Sequence, residues 1–230
     1  MRLNLFIARS GYSSRRGADS LIKEGKVKVT GRVVREPFFN VGENDNVLVS
    51  GKRLCIPKHI YVIFNKPCGV TTTTKDWFAD KKVTDFFPKK LGKIYPVGRL
   101  DKDSCGLLIL TNDGDLCYRM THPKFAVEKE YLVEVVGVLK TRDCKRARAG
   151  VKDKGEFLKV NKIRVINRAR GISSCRVVVT EGKKRHLRRL FNALGFSVTA
   201  LQRVRMGKVL LGELGEGEYK IVSEDEINFC

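Results

Sequence analysis

Gly98-Arg99-Leu100-Asp101 stands just before an apolar run, Leu107 to Thr111, that reads as a buried strand. A loop running into a rigid strand is a common place for a catalytic side chain, and a carboxylate there can serve as a nucleophile. An Asp that caps a turn would fit the same position. A second constellation is Glu181-Gly182-Lys183-Lys184-Arg185-His186-Leu187-Arg188-Arg189. Leu187, Leu190, Phe191 and Leu194 recur at helical spacing and define a buried stripe, which sends Arg185 and Arg189 to another face. Arg188 falls at the border, where a guanidinium can reach a partly buried carboxylate. Asp101-x-Asp103 with Asn112-Asp113-Gly114-Asp115 holds enough carboxylates for a magnesium ion. Asn-Asp-Gly is also a turn signal between a strand and a helix, so no metal is expected. His59, His122 and His186 are isolated, and no Ser or Cys has an identifiable base, which leaves hydrolase triads unsupported.

The charge says what such groups would act on. The 230 residues include 46 Lys and Arg against 25 Asp and Glu, a formal charge of +21. That excess repels itself in isolation and suits a polyanionic partner whose counterions are released on binding. From Lys183 through Lys208 there are eight Lys or Arg and no acid, the pattern of a nucleic-acid groove. A hydrophobic content of 42% is enough for a core and excludes a disordered basic tail. No apolar run approaches the roughly 18 to 20 residues of a membrane span, and a single Trp argues against a basic interfacial helix, so no membrane partner is expected. The seven cysteines are scattered, with no closely spaced pairs for structural zinc, and suggest a reducing cytoplasmic setting.

The elements that must carry these residues fall into two groups. Leu3, Phe6 and Ile7 predict a short helix over 3–10 ended by Gly11. Ser13 or Ser14 can cap a second helix through Glu24, with Ala18, Leu21 and Ile22 buried and Gly25 at its end. Val27 and Val29 alternate with lysines, Gly31-Arg32 makes a turn, Val33 and Val34 follow, and Val47 to Val49 form a further strand. Residues 1–55 therefore make a small αα-β domain, 56–60 a linker around Pro57, and 61–230 a second domain. In the second domain strands are expected at 60–64, 107–111, 131–136, 158–165, 175–179, 198–201 and 219–222, and helices at 115–120, 141–149 and 184–194. Strands outnumber helices, so the fold class is α+β, with a mixed, largely antiparallel sheet, flanking helices and a central cleft.

Arg9, Arg15, Arg16, Lys23, Lys26 and Lys28 cluster on or near the second helix and the strand after it, with few acids to compensate. Arg2-Leu3, Phe6, Ala8, Gly11, Ser14-Arg15, Ala18, Leu21-Ile22, Gly25, Val27, Val29 and Gly31 resemble the αL RNA-binding module of ribosomal protein S four. That likeness makes these cations and Arg2 RNA contacts. It departs at Asn4 and Leu5, where the module commonly carries Asp-Lys. Met1 to Arg16 is also acid-free, as transit peptides are, but a transit peptide would not continue into this pattern.

The second domain carries Asn65-Lys66-Pro67-x-Gly69-Val70 and Tyr95 to Ser104, followed by Gly106-Leu107-Leu108-x-Leu110-Thr111-Asn112-Asp113-Gly114. Further on come Lys129-x-Tyr131-x-Val133, Glu181-Gly182-Lys183-x-Arg185-x-x-Arg188-Arg189, and Gly207, Leu211, Gly215 and Gly217. In this order they resemble the ribosomal RNA pseudouridine synthases of the RsuA type over nearly the whole chain. The resemblance implies that Asp101 is the nucleophile, Tyr131 stacks on the target base and relays a proton, and Arg188 is the partner of Asp101. It also places Leu187 in the uracil pocket and lets Arg99 fill the space left by a flipped nucleotide, with Lys183, Arg185 and Arg189 as RNA contacts. His186 stands where the family more often has Gln or Glu. The implied partner is ribosomal RNA with an exposed uridine, bound by a monomer.

Exchanging a C–N for a C–C glycosidic bond involves no net redox change or hydrolysis, so the chemistry needs no cofactor. It needs an ionised carboxylate, a proton acceptor and a water-poor pocket. A carboxylate in such a pocket tends to protonate, and a neighbouring Arg that cannot lose its charge favours the ionised form. Two other classes also fit the charge. A non-catalytic RNA-binding or RNA-chaperone protein leaves Asp101, Tyr131 and Arg188 without a shared purpose, and a metal-dependent nuclease would use Asp101 and Asp103.

Overall fold

The computed structural model describes residues 1–73 and 80–227. Trp77, the end of the threonine-rich loop and Cys230 lie outside the described residues. The chain divides into one unit of Met1–His59 with Asn112–Gly114 and a second of Ile60–Thr111 with Asp115–Cys230.

In the first unit, α1 (Leu3–Arg9) and α2 (Arg15–Lys23) meet at a short corner. The Ser14 side chain caps α2 by accepting from Gly17 N at 3.1 Å. Gly25, at φ +74°, ends it with a conformation that costs an L side chain strain. Four strands follow, β1 (Val27–Val29), β2 (Arg32–Val33), β3 (Val47–Val49) and β4 (Lys52–Arg53), paired antiparallel in the order β2-β1-β3-β4. The turn between β1 and β2 is Thr30-Gly31, both at positive φ, and Arg32 is already paired with Val29; Val34 lies beyond the strand. Val27, Val29, Val47 and Val49 turn inward onto Leu3, Ile7, Ala18 and Ile22, each burial contributing about 1.5–3 kcal/mol. The helix faces opposite this core leave Arg15, Arg16 and Lys23 exposed, as Lys26 and Lys28 are on and before β1. Asn4, at the departure from the module pattern, is buried, and its Nδ2 donates to Asp19 Oδ1 at 2.8 Å.

The second unit is built on β5 (Tyr61–Lys66), β6 (Tyr95–Pro96), β7 (Cys105–Thr111), α3 (Gly114–Thr121), β8 (Lys129–Val136), α4 (Thr141–Ala149), β9 (Val151–Asp153) and β10 (Glu156–Leu158). It continues with β11 (Lys162–Ala169), β12 (Ile172–Val179), α5 (His186–Ala193), β13 (Val198–Met206), β14 (Val209–Leu210), β15 (Tyr219–Val222) and α6 (Glu224–Ile227). Its nine-stranded sheet runs β11-β12-β8-β13-β7-β5-β15, with β14 on β13 and β6 on β7. Among the described strands of this sheet only the β13–β7 pairing is parallel, so the fold is α+β with a mixed, largely antiparallel sheet. β5 is buried at every residue and β7 at all but Cys105, because cores lie on both faces. That is why these two strands read as unbroken apolar runs instead of alternating. At the other end of the sheet, α4 and α5 cover β8 and β12 through Leu139, Ala147, Leu187, Leu190 and Phe191.

The single strand expected over 158–165 is two. Lys154 and Gly155, both at positive φ, fold 151–158 into the β9–β10 hairpin. Val160 N then bonds Ala147 O, and β11 begins only at Lys162. The helix expected from Lys184 starts at His186, because Arg185 is left-handed at φ +51°.

Candidate active site

A cavity of about 510 Å³ opens in the second unit between the loop before β7, the middle of β8 and the N-terminal end of α5. The Arg99–Ser104 loop supplies Arg99, Leu100, Asp101 and Ser104, β8 supplies Tyr131, and the segment ahead of α5 supplies Glu181 to His186 with Leu187.

The loop is fixed from both sides. Buried Thr72 donates its hydroxyl to Leu100 O at 2.7 Å and receives Leu100 N at 3.3 Å, while Gly69 N bonds Lys102 O at 2.7 Å. Ser104 N returns to Asp101 O at 3.1 Å, closing a turn. Beneath it Lys66 is fully buried, its ammonium donating to Ser104 O at 2.6 Å and Pro67 O at 2.8 Å. Gly106 ends the loop where β7 meets β13. A Cβ there would lie 2.3 Å from Arg203 O and 2.8 Å from its N, at φ +96°, so only glycine permits this approach.

Burial pushes the Lys66 amine from its ordinary 10.5 down to about 8. Its unfolded form therefore holds a proton that the folded form releases between about pH 8 and 10.5, and the cost of burying the charge fades across that window. Lys66→Met removes this pH-dependent cost together with the two carbonyl bonds, so the urea midpoint of the parent should rise relative to that of the variant as pH climbs through the window. A difference between the two midpoints that stays constant would show that the ammonium carries no such cost.

The structure corrects the pairing expected of Arg188. Its partner is Asp103, not Asp101. Arg188 Nη2 donates to Asp103 O at 2.6 Å, its Nε lies 3.2 Å from Asp103 Oδ2, and its Nη1 donates to Val198 O at 3.1 Å. Arg185 grips the same carboxylate with two bonds, Nη1 to Oδ1 at 3.1 Å and Nη2 to Oδ2 at 2.9 Å. The turn from Asp101 to Ser104 explains the exchange, since it leaves Asp101 on the cavity and aims Asp103 at α5. Partial burial pushes the Asp103 carboxyl up, but the Arg185 hydrogen bonds and the Arg188 charge outweigh it and hold the group below the usual carboxylate range. The two guanidinium groups would also compete with a metal ion for the Asp103 oxygens.

Of the cations expected to meet RNA, Arg189 is committed within the protein. Its Nη1 bonds Glu156, and its Nη2 donates to Asp153 O at 2.9 Å, so it braces the β9–β10 hairpin against α5. Lys183 Nζ donates to Phe157 O at 2.6 Å and lies 3.2 Å from Glu181. In the first unit Lys26 pairs with Glu24 at 2.6 Å, and Arg2 lies 5.0 Å over the Phe38 ring. Glu181 and His186 were missed as cavity residues. His186 is buried, and its Nε2 lies 2.9 Å from Lys159 O. A carbonyl only accepts, so Nε2 carries the proton and Nδ1 keeps its lone pair. Burial also pushes the His186 pKa below its ordinary 6.5.

A carboxylate and a tyrosine on one cavity, with an arginine at its mouth, match the sequence motifs from which they come. Residues 60–193 match the RNA pseudouridylate synthase family, and residues 1–47 match the S4 domain. The chain belongs to the RNA pseudouridylate synthase family. As a pseudouridylate synthase it is an isomerase, converting uridine to pseudouridine in RNA. It is 35% identical over 228 residues to the ribosomal large subunit pseudouridine synthase B of Bacillus subtilis (strain 168), covering 98% of this chain and 93% of that one. An RNA pseudouridine synthase of Aquifex aeolicus (strain VF5) is 36% identical over 237 residues, covering 99% and 94%. A pseudouridylate synthase crystal structure superimposes with a TM-score of 0.69 at 31% identity, covering 99% of this synthase and 98% of that chain.

Proposed function

We propose that this synthase modifies a uridine of ribosomal RNA, acting as a cytoplasmic monomer with Asp101 as nucleophile. The observation that carries this reading is that Asp101, Tyr131 and Leu187 line one cavity with Arg99 on the same loop as Asp101. A uridine flipped into it meets the carboxylate, stacks on the flat face of Tyr131 and rests against Leu187, while Arg99 enters the space it left. The Asp101 carboxylate bonds to C1′ as the N1–C1′ bond breaks, the retained uracil anion turns, and C5 joins C1′ as the carboxylate leaves; C5 then gives up its proton, which Tyr131 relays, and N1 takes one up, so no proton is gained or lost overall. Extruding the nucleotide costs a few kcal/mol and is cheapest in unpaired RNA. The name of the Bacillus relative directs the first search to large-subunit RNA. Free thiols at all six described cysteines suit a reducing compartment, and the +21 charge opposes self-association.

Carbodiimide-primed reverse-transcription maps of both ribosomal RNAs, from cells with and without the gene, test the reading. One or more stops should vanish on deletion and return with the wild-type gene; identical maps would refute it.

The first unit is proposed as an electrostatic handle through Arg15, Arg16 and Lys23. Replacing all three with Ala should lower the slope of log affinity against log salt by roughly 0.7 per lost phosphate contact. The single-turnover rate at saturating RNA should stay unchanged, because no residue assigned to the chemistry lies there. An unchanged slope would make these side chains spectators.

A further inference from the structure

A cluster of exposed rings at the end of α3 in the second unit takes no part in the proposed chemistry. Tyr118 is 46% exposed and Phe125 42% exposed, although the burial of α3 is carried by Leu116 and Met120 on its other face. His122, one turn beyond Tyr118, completes a cluster. The Tyr118 and His122 ring centroids are 4.8 Å apart, and Phe125 meets Tyr118 edge-on at 5.6 Å and 89°. Lys124 sits over both exposed rings, its ammonium 4.9 Å from the Tyr118 centroid and 4.7 Å from that of Phe125. The cluster adjoins the catalytic loop, for a Cβ on Gly98 would lie 3.5 Å from Thr121 Cγ2 at the end of α3.

We propose that Tyr118, His122 and Phe125 form a stacking platform for unpaired bases of the substrate RNA next to the target uridine. The inference rests on the proposed RNA-modifying reading and adds a subsite to it. Exposed rings beside a cation are what single-stranded RNA requires, a π-face for a base and a charge for its phosphate. An apolar protein surface fits worse, because covering the rings would bury the Lys124 ammonium without a counter-charge. Thr121, beside His122, approaches Gly98, and Gly98 precedes Arg99 of the cavity lining, so the proposal sets the platform beside the cavity. There the nucleotides flanking a flipped uridine must lose their stacking partner, and Tyr118 or Phe125 replaces it.

The test uses the full-length protein and a single-stranded RNA oligonucleotide carrying 5-iodouridine, which photocrosslinks to aromatic side chains it stacks on. A matching oligonucleotide carries 2-aminopurine, whose fluorescence falls on stacking. The crosslink is expected within the peptide 114–126, with the 2-aminopurine quenched on binding. Tyr118→Leu with Phe125→Leu keeps the patch apolar and removes the stacking. It should weaken binding roughly fivefold to a hundredfold and abolish the quench, and leave the salt slope unchanged. Lys124→Ala should lower the slope by about 0.7. Tyr118→Trp with Phe125→Leu, or Tyr118→Leu with Phe125→Trp, should restore the quench. Crosslinks only elsewhere, or a Leu pair that binds within twofold of the parent, would overturn the proposal. So would a concentration-dependent dimer that the Leu pair abolishes, since the patch would then belong to a second copy. Binding and crosslinking need no turnover, so a platform that passes while no uridine is converted would fault the reaction and not the subsite.

Discussion

Asp101→Asn is expected to lower single-turnover isomerisation by on the order of a thousandfold or more, because it deletes the proposed nucleophile while keeping its volume and its place on the cavity. The loop should survive. The bonds that shape it are made by the Asp101 carbonyl to Ser104 N, by Thr72 to Leu100 and by Lys66 to Ser104 O, none of which uses the Asp101 side chain. RNA affinity and urea midpoint should therefore stay near the parent values, and removing one negative charge beside a polyanion can only favour binding. The measurement is conversion of a ribosomal RNA transcript at saturating enzyme, alongside a binding isotherm for the same transcript. Turnover within tenfold of the parent would remove Asp101 from the chemistry. Lost turnover with lost affinity would instead mean that the loop has collapsed, and the thermal melt separates those cases.

Much of the site could be read in the sequence because local pattern and chemistry point the same way there. The apolar run at 107–111, ahead of which Asp101 sits, is buried on both faces, so it announces a strand without any help from alternation. The Leu187, Leu190, Phe191 stripe likewise fixes which side of α5 faces the core. What failed is what depends on direction. Asp101 and Asp103 are two residues apart in a turn, and sequence spacing offers no way to tell which one looks at α5. The β9–β10 hairpin was missed for a related reason. Its Lys-Gly turn is a weak signal, and Val151 to Leu158 buries too little on its own to show a period. Arg189 was expected on RNA because nothing in the sequence near it is acidic. Its partners, Asp153 and Glu156, are more than thirty residues earlier and meet it only through that hairpin. Lys66 shows the opposite limit, since a lysine beside a strand end looks like a surface charge until both flanking carbonyls are seen to hold its ammonium.

The exchange of partners at Arg188 makes Asp103 the residue whose loss should matter most after Asp101. Its carboxylate joins the Arg99–Ser104 loop to α5 across more than eighty residues of chain through two guanidinium groups. Arg185 adopts a left-handed backbone, unfavourable for a side chain, and so contributes local strain to the same arrangement. Asp103→Asn keeps the shape and removes the charge. The loop should then loosen against Leu187 and Tyr131, and displacing a catalytic group by about an ångström costs on the order of a hundredfold in rate. The expected result is a kcat lowered by roughly tenfold to a hundredfold with RNA affinity within threefold of the parent. Arg188→Ala should fall in the same range, and the double variant should be little worse than either single one, because both remove one shared interaction. If Arg188 instead serves Asp101 during the reaction, Asp103→Asn would free it to do so. Activity would then hold or rise, and the two substitutions would add. A pH–rate profile gives a second readout. The Asp103 carboxyl is held below the usual carboxylate range, so its grip is complete above that range and fails only as pH falls through its lowered folded value. The parent should lose rate there by loosening of the loop, and Asp103→Asn, already loose, should lack that part of the acid limb.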